Sequence, residues 1–481
     1  MKGRFILFAW FSLLSCALFA QRVPVLNQIS LPHNYYFREL YLPQLTSGPS
    51  SVTWSPNGKD LIFSMKGSLW RQEITSEKAV QLTDDNGYDY QPDWSPDGKH
   101  VIFVRYNGSS CELMIMELMS GKIEPLTSNM AVNLEPRWSP DGTRIVFVST
   151  DKTGHFLLHT ANIRNNHLEE ITCITPDKKS NVARYYYSPF DHAVNPAWSR
   201  DGKKIYFVSN HEIAHGTGDI VSIDLKTSEI NSIHHEETSW RTRPDVSPDG
   251  TRLVYSSYLG RNWHQLWILP ATGGYPIPLT YGEYDNSSPR WSSSGTDIAF
   301  ISNRDGNTSL WTINVFKGKE EQIKTSELQY KKKYIPLTIN VRDESGHILP
   351  ARISVTDSRE KFYAPANAWI HADDSRYPGQ LNYEAHYFHT RGTDRFDVPN
   401  DKIFIQTSHG PEYEISKTEI DLTDAIQNTV DIILKKQQLP VKYGTWWSGD
   451  LHVHMNYGGS YKNIPEKLSL QAEAENVNFV F

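Results

Sequence analysis

Six short segments of nearly one sequence recur through the first three hundred residues, and they constrain the fold more than any other feature. Trp94-Ser95-Pro96-Asp97-Gly98 is the full form. Trp54-Ser55-Pro56-Asn57-Gly58, Trp138-Ser139-Pro140-Asp141-Gly142, Trp198-Ser199-Arg200-Asp201-Gly202, Val246-Ser247-Pro248-Asp249-Gly250 and Trp291-Ser292-Ser293-Ser294-Gly295 are its variants. Proline presets φ, Asp or Asn bonds back to the backbone, and glycine accepts the left-handed conformation, so each segment reads as a tight hairpin turn. Apolar alternations follow the turns, for example Ile145-Val146-Phe147-Val148, as half-buried strands require. The spacing runs from 40 residues (Trp54 to Trp94) to 60 (Trp138 to Trp198). Repeats of that length with strand signals are propeller blades.

The expected fold class is therefore mainly β, with a six-bladed β-propeller over residues 36–325. Each blade should hold a strand ending at the Trp, the turn, a second strand, a third such as residues 113–116 or 266–269, and a fourth ending in a Leu-Thr-type pair. Leu82-Thr83, Leu126-Thr127, Ile171-Thr172 and Leu279-Thr280 mark that fourth strand. Leu45-Thr46 precedes the first Trp, whereas the sixth repeat reaches Ile323 and Lys324 without such a pair. Residues 36–46 are thus expected to supply the outer strand of the last blade and close the ring, which hides its edges.

Residues 1–20 carry Lys2 and Arg4, an apolar run over 5–19, and Ala20-Gln21. This is the layout of a cleaved secretory signal, too short to be a stable spanning helix. Acylation at Cys16 within Leu13-Leu14-Ser15-Cys16 is the rival reading, and export follows either way. No later segment is apolar enough to cross a membrane, so the mature chain is expected to be periplasmic or secreted. A net charge of −7 argues against a nucleic-acid partner. Beyond the signal only Cys111 and Cys173 occur, on strands of different repeats, and they read as two buried thiols rather than a disulfide framework.

The longest departure from the repeat, residues 173–195, carries Arg184-Tyr185-Tyr186-Tyr187 and Asp191-His192. It reads equally as a binding loop and as a packed surface loop. After the Lys- and Glu-rich stretch 317–333, the pattern changes. Residues 337–341, the turn 343–347 and residues 353–355 are expected to form a hairpin, and strands at 402–405 and 430–434 complete a small β-sandwich over 334–436. His371, His386 and His389, with Asp373 and Asp374 nearby, have no diagnostic metal spacing and are read as histidines without a ligand role.

The segment 444–481 carries the chemistry. In Gly449-Asp450-Leu451-His452-Val453-His454, strand periodicity puts Asp450, His452 and His454 on one face. Two imidazoles so placed can bind one divalent ion. Pro465, a helix to about residue 475 and an apolar strand over 477–481 then make the start of a βα repeat, an α/β barrel-type opening.

Three resemblances follow from these motifs. The Trp-Ser-Pro-Asp-Gly repeats behind a signal resemble the propeller of the TolB family, and also the propellers of prolyl-oligopeptidase relatives. That likeness implies a protein or small-molecule ligand on the propeller. Residues 334–436, with His409-Gly410-Pro411-Glu412, resemble transthyretin-like or carboxypeptidase-regulatory-like modules. Residues 449–459 resemble the opening strand of CehA/McbA-type metallohydrolases, a resemblance that makes His452 and His454 metal ligands and gives Asp450 a supporting part. A divalent metal, zinc or similar, is implied only in a complete catalytic domain. The chain stops at Phe481, 27 residues after His454, and two ligands on one strand do not close a metal site. The expectation is the N-terminal portion of an exported, propeller-containing metal-dependent hydrolase, inactive at this length. The alternative is a non-catalytic TolB-like binding propeller. No Gly-x-Ser-x-Gly elbow of a serine hydrolase is present.

Overall fold

The computed structural model describes residues 42, 45–183, 189–214, 216–238, 242–259, 262–372, 383–440, 444–453 and 460–481. The signal segment with Cys16, residues 184–187 of the insertion, Asp373, Asp374 and His454 lie outside the described residues.

The repeat builds the blades as its chemistry demands. In the second repeat Ser95 Oγ donates to Asp97 Oδ1 at 2.6 Å and accepts from His100 N at 2.9 Å, while Asp97 Oδ1 accepts from Lys99 N at 3.0 Å. The serine and aspartate thus satisfy the turn's backbone donors and tie its two strands together. Their hydrogen bonds depress the carboxyl pKa: the Ser199 and Ser247 hydroxyls hold Asp201 and Asp249 below the usual carboxylate range. The first blade runs Pro49–Trp54, Asp60–Met65, Ser68–Glu73 and Lys78–Gln81 in antiparallel order. Five further four-stranded antiparallel sheets follow, each built from one repeat. The tryptophan that ends an inner strand also joins blades. Trp198 Nε1 donates to Arg137 O at 3.0 Å, and Trp54 Nε1 reaches Arg290 O of the sixth blade at 3.0 Å.

The Leu-Thr pairs act as latches beyond the fourth strand. Leu126 N donates to Leu113 O at 2.8 Å, and the Thr127 hydroxyl accepts from Leu113 N at 2.9 Å. Leu82-Thr83 and Leu279-Thr280 repeat the arrangement on Leu69 and Leu266. In the third repeat the latch is Ile174-Thr175, which makes both bonds to Leu158, and not the expected Ile171-Thr172. Strand His167–Cys173 carries an irregularity in its pairing and extends through Thr172, so the pair that reaches the core comes three residues later.

Ring closure also differs from expectation. The outer strand of the sixth blade is Glu320–Ile323, from its own repeat. A short local turn at Gly318 delivers that strand at little entropic cost. Leu42 and Leu45 are buried in the core instead. The chain leaving the sixth blade crosses the seam: Glu327–Gln329 pairs in parallel with Lys78–Gln81 and gives the first blade a fifth strand.

Residues 334–434 form two sheets. Thr393–Pro399, Tyr334–Asp343 and Asn428–Leu434 make one, and His371–Ala372, His386–Thr390, Ala351–Asp357, Lys402–Ser408 and Ser416–Asp421 make the other. Ile335, Leu337, Ile339 and Val341 of the first share one buried cluster with Ile353, Val355, Ile403 and Ile405 of the second. The expected hairpin is absent from this arrangement. Its turn forms, with Asp343 N to His347 O at 2.9 Å, but Tyr334–Asp343 and Ala351–Asp357 lie in different sheets. Pro350 has no N–H to continue the ladder after the Leu349 bond to Val341 O, and the chain changes layer there. These sheets abut the second blade through Phe362 N to Tyr88 Oη at 3.2 Å and Arg359 Nη1 to Asp84 O at 3.0 Å.

The C-terminal segment holds one α-helix, Pro465–Ala474, with proline in its first turn. It connects Gly449–Asp450 to Phe479–Val480, which pair in parallel. The strand at Asp450 covers Gly449–Asp450. Cys111 and Cys173 are both unbridged, but only Cys111 is buried; Cys173 is half-buried.

Candidate functional site

Two polar layers stack on the propeller axis, the first drawn from all six blades and the second from four. Five repeats place a proline two residues before the Trp position: Pro92, Pro136, Pro196, Pro244 and Pro289. The residues preceding them, Gln91, Glu135, Asn195, Arg243 and Ser288, all have positive φ, between 39° and 55°. A non-glycine residue in that region costs about 1–3 kcal/mol. The proline removes a ladder donor there, and in four of the blades the inner-strand register shifts at this point. The resulting bulge brings the preceding side chain to the axis. Ser51 takes the same place in the first blade.

These six residues are joined around the ring. Gln91 N donates to Ser51 Oγ at 3.2 Å, Glu135 N to Gln91 Oε1 at 2.9 Å, Asn195 N to Glu135 Oε2 at 2.6 Å, and Arg243 N to Asn195 Oδ1 at 3.2 Å. Arg243 Nη1 then reaches Ser288 Oγ at 2.7 Å. Burial pushes the Glu135 carboxyl above its ordinary range, against the pull of Arg243. The side chains therefore carry both signs of charge and several hydrogen-bonding groups.

Two residues further along the strands lies a second layer. Asp93 and Asp245 come from the second and fifth blades, Arg137 and Arg290 from the third and sixth, so each like pair faces itself across the axis. Arg137 contacts Asp245 and, at 3.4 Å, Asp93; Arg290 contacts Asp93 and, at 3.7 Å, Asp245. Asp93 and Asp245 also accept the backbone N–H of Trp138 and Trp291, each at 2.8 Å. The four charges balance and plug the channel. The cavity among these layers is about 50 Å³, room for a few waters. A ligand can engage the mouth of this axis but cannot thread it.

The sequence-derived site is less assembled. Asp450 Oδ1 accepts the backbone N–H of His452 at 3.0 Å, and His452 is exposed. Among the described residues, the one group of three or more potential metal-binding side chains that converges within 4.8 Å is Glu212, Asp219 and His235, on the fourth blade. His192 of the insertion is buried and serves the fold: its Nε2 lies 2.7 Å from Thr217 O and its backbone N–H donates to Asn210. Lys179 and Phe190 form an antiparallel bridge within the same insertion.

Sheet pairing does bring His371 and His389 together, their ring centroids 5.3 Å apart. They line a cleft of about 150 Å³ with Trp369, Asp394, Lys467 and Gln471. His389 Nε2 lies 2.9 Å from Glu475 Oε1 at the end of the C-terminal helix. The sequence reading named both histidines but gave them no ligand role, because their juxtaposition depends on strand register. It also missed the axial ring, for which the proline two residues before each Trp was an available signal.

A family model described as TolB beta propeller domain matches residues 41–190 and 176–338. Among curated proteins, the chain is 26% identical over 264 residues to the Tol-Pal system protein TolB of Francisella tularensis subsp. mediasiatica, covering 53% of this chain and 57% of that protein. It is 34% identical over 98 residues to the uncharacterized peptidase YuxL of Bacillus subtilis, covering 18% of this chain and 14% of that protein. The chain thus spans less than two thirds of either relative. Among solved structures it is similar to TolB from Acinetobacter baumannii, with 22% identity, a TM-score of 0.41, and coverage of 50% of this chain and 57% of that one. It is also similar to an oligogalacturonate lyase in complex with manganese, with 15% identity, a TM-score of 0.40, and coverage of 55% and 76%. With six blades closed around a plugged axis and a family match across more than half its length, the chain belongs to the TolB beta propeller domain family.

Proposed function

We propose that the propeller is the binding module of an exported protein and that it docks a protein partner at the mouth of its axis. The observation that carries this reading is the ring of Gln91, Glu135, Asn195, Arg243 and Ser288, strained side chains of both charge signs held above a plugged channel. Backbone strain retained in five repeats at one level marks a surface arranged for contact. The relative named as a Tol-Pal system protein works within a protein assembly, which favours a protein over a small molecule. Residues 1–20 support export. A photo-crosslinking amino acid at Gln91 should capture a partner protein in the exporting cell, whereas one at Glu321 on the outer strand should not. Equal capture at both positions, or none at Gln91, refutes the reading.

A second reading rests on the parallel pairing of Gly449–Asp450 with Phe479–Val480 around one helix, the opening of an α/β hydrolase domain. A divalent metal there would be held by His452 and His454, with Asp450 supporting. Among the described residues, Asp450 Oδ1 accepts the His452 backbone N–H, and the group of three potential ligands that converges includes neither of them.

A further inference from the structure

Two imidazole nitrogens in the cleft beneath the C-terminal helix are buried without partners. His371 Nε2 and His389 Nδ1 make no hydrogen bond, although the His389 side chain is only 8% exposed. Leaving such atoms unpaired costs about 1–3 kcal/mol each. The pattern at His389 is specific. Its other nitrogen, Nε2, lies 2.9 Å from Glu475 Oε1. With Nε2 held by that contact, Nδ1 is the nitrogen left without a partner. A histidine oriented by a carboxylate on one nitrogen, with the other open, is the arrangement found where imidazole binds a metal.

Geometry brings the second ligand. His371 pairs opposite Tyr387, so His389 is its diagonal neighbour on the same sheet face. A metal bound to a ring nitrogen at about 2.0–2.1 Å lies roughly 3.2 Å from the ring centroid, and two such rings at a tetrahedral angle have centroids roughly 5 Å apart. The observed separation is 5.3 Å. We propose that His371 and His389 bind a divalent transition-metal ion of the class that prefers imidazole (zinc, nickel or copper), with Glu475 as the positioning residue and water filling the open positions. The cleft of about 150 Å³ has room for those waters, and Asp394 lines it. Two cations stand nearby, but Arg352 lies 3.8 Å from Glu475 and stacks on Tyr387, and the Lys467 ammonium packs over Trp369. The Glu212, Asp219 and His235 group is a weaker candidate, because Asp219 is already occupied by His235 and the Glu236 N–H.

The test is zinc titration of the full chain by calorimetry against a competing chelator. One ion should bind to wild type, at least about 10-fold more weakly to the His371→Ala/His389→Ala double variant and about 10-fold more weakly to Glu475→Gln. His452→Ala and Asp219→Asn should bind as wild type does. Absence of zinc binding to wild type, unchanged binding in the double variant, or loss in His452→Ala or Asp219→Asn overturns the proposal. Because the double variant removes two packed side chains, copper-loaded His452→Ala protein provides an independent reading by pulsed electron paramagnetic resonance. Two coupled imidazoles support the site; fewer refute it.

Discussion

The propeller and the C-terminal segment begin from the same kind of unit and reach opposite ends. A blade alone would leave two apolar faces in water. Six of them bury those faces on one another, and Phe63, Phe103, Phe147, Phe207 and Phe300 are nearly inaccessible. The strand–helix–strand unit at 449–480 has a single parallel contact, and Trp447, Leu451 and Phe481 are 69, 74 and 78% exposed. The propeller completes its burial by stacking one blade on the next.

Tryptophan substitutions give the largest effect on that contrast. Trp70 is 1% exposed and donates to Met65 O at 2.9 Å, so Trp70→Ala should cost about 4 kcal/mol in urea unfolding. Trp447→Ala should change stability by less than about 0.5 kcal/mol. A comparable loss at Trp447 would break the comparison by placing that face in a packed environment. A smaller effect tests the blade latch. Thr175→Val leaves Leu158 N without its acceptor and should cost about 1–3 kcal/mol, whereas Thr172→Val should cost under about 0.5 kcal/mol. Reversal of that order would restore Ile171-Thr172 as the latch.

The smallest effect is in acid. The turn aspartates Asp201 and Asp249 have depressed pKa values because the Ser199 and Ser247 hydroxyls bond to the charged form. Their stabilisation is therefore complete above the unfolded carboxyl value, about 3.9, and is lost as pH falls through the folded value. Urea midpoints should fall for wild type as pH drops below about 4, and Asp249→Asn should flatten that fall. An equal fall in the variant would move the acid sensitivity elsewhere.

What was legible in the sequence was whatever the chain arranges locally. Ser95 and Asp97 bond within their own turn, so five letters fix the hairpin, and the hairpin repeated six times fixes the propeller. Leu45-Thr46 misled because it matched a latch in composition, while the sixth outer strand could form from Glu320–Ile323 without it. Ile171-Thr172 misled because one irregularity in the strand shifts which pair meets the core. The Asp343–His347 turn was readable, but the partners of its flanking strands were not, since Pro350 sends the chain to another sheet. Of the candidate site residues, Asp450 proved to accept the backbone N–H of His452, which spacing on a strand does not reveal. His371 and His389 meet only through strand register, a property no spacing rule encodes.

The strand Glu327–Gln329 gives the molecule a mechanical character. It lies parallel to Lys78–Gln81 across the one seam where the ring could open, and it is the link through which the chain leaves for residues 334–434. Tension drawn along it loads the ladder in shear, with its bonds resisting together, instead of peeling them one at a time. Force applied through the C-terminal half therefore meets this ladder before it reaches the junction of first and last blades.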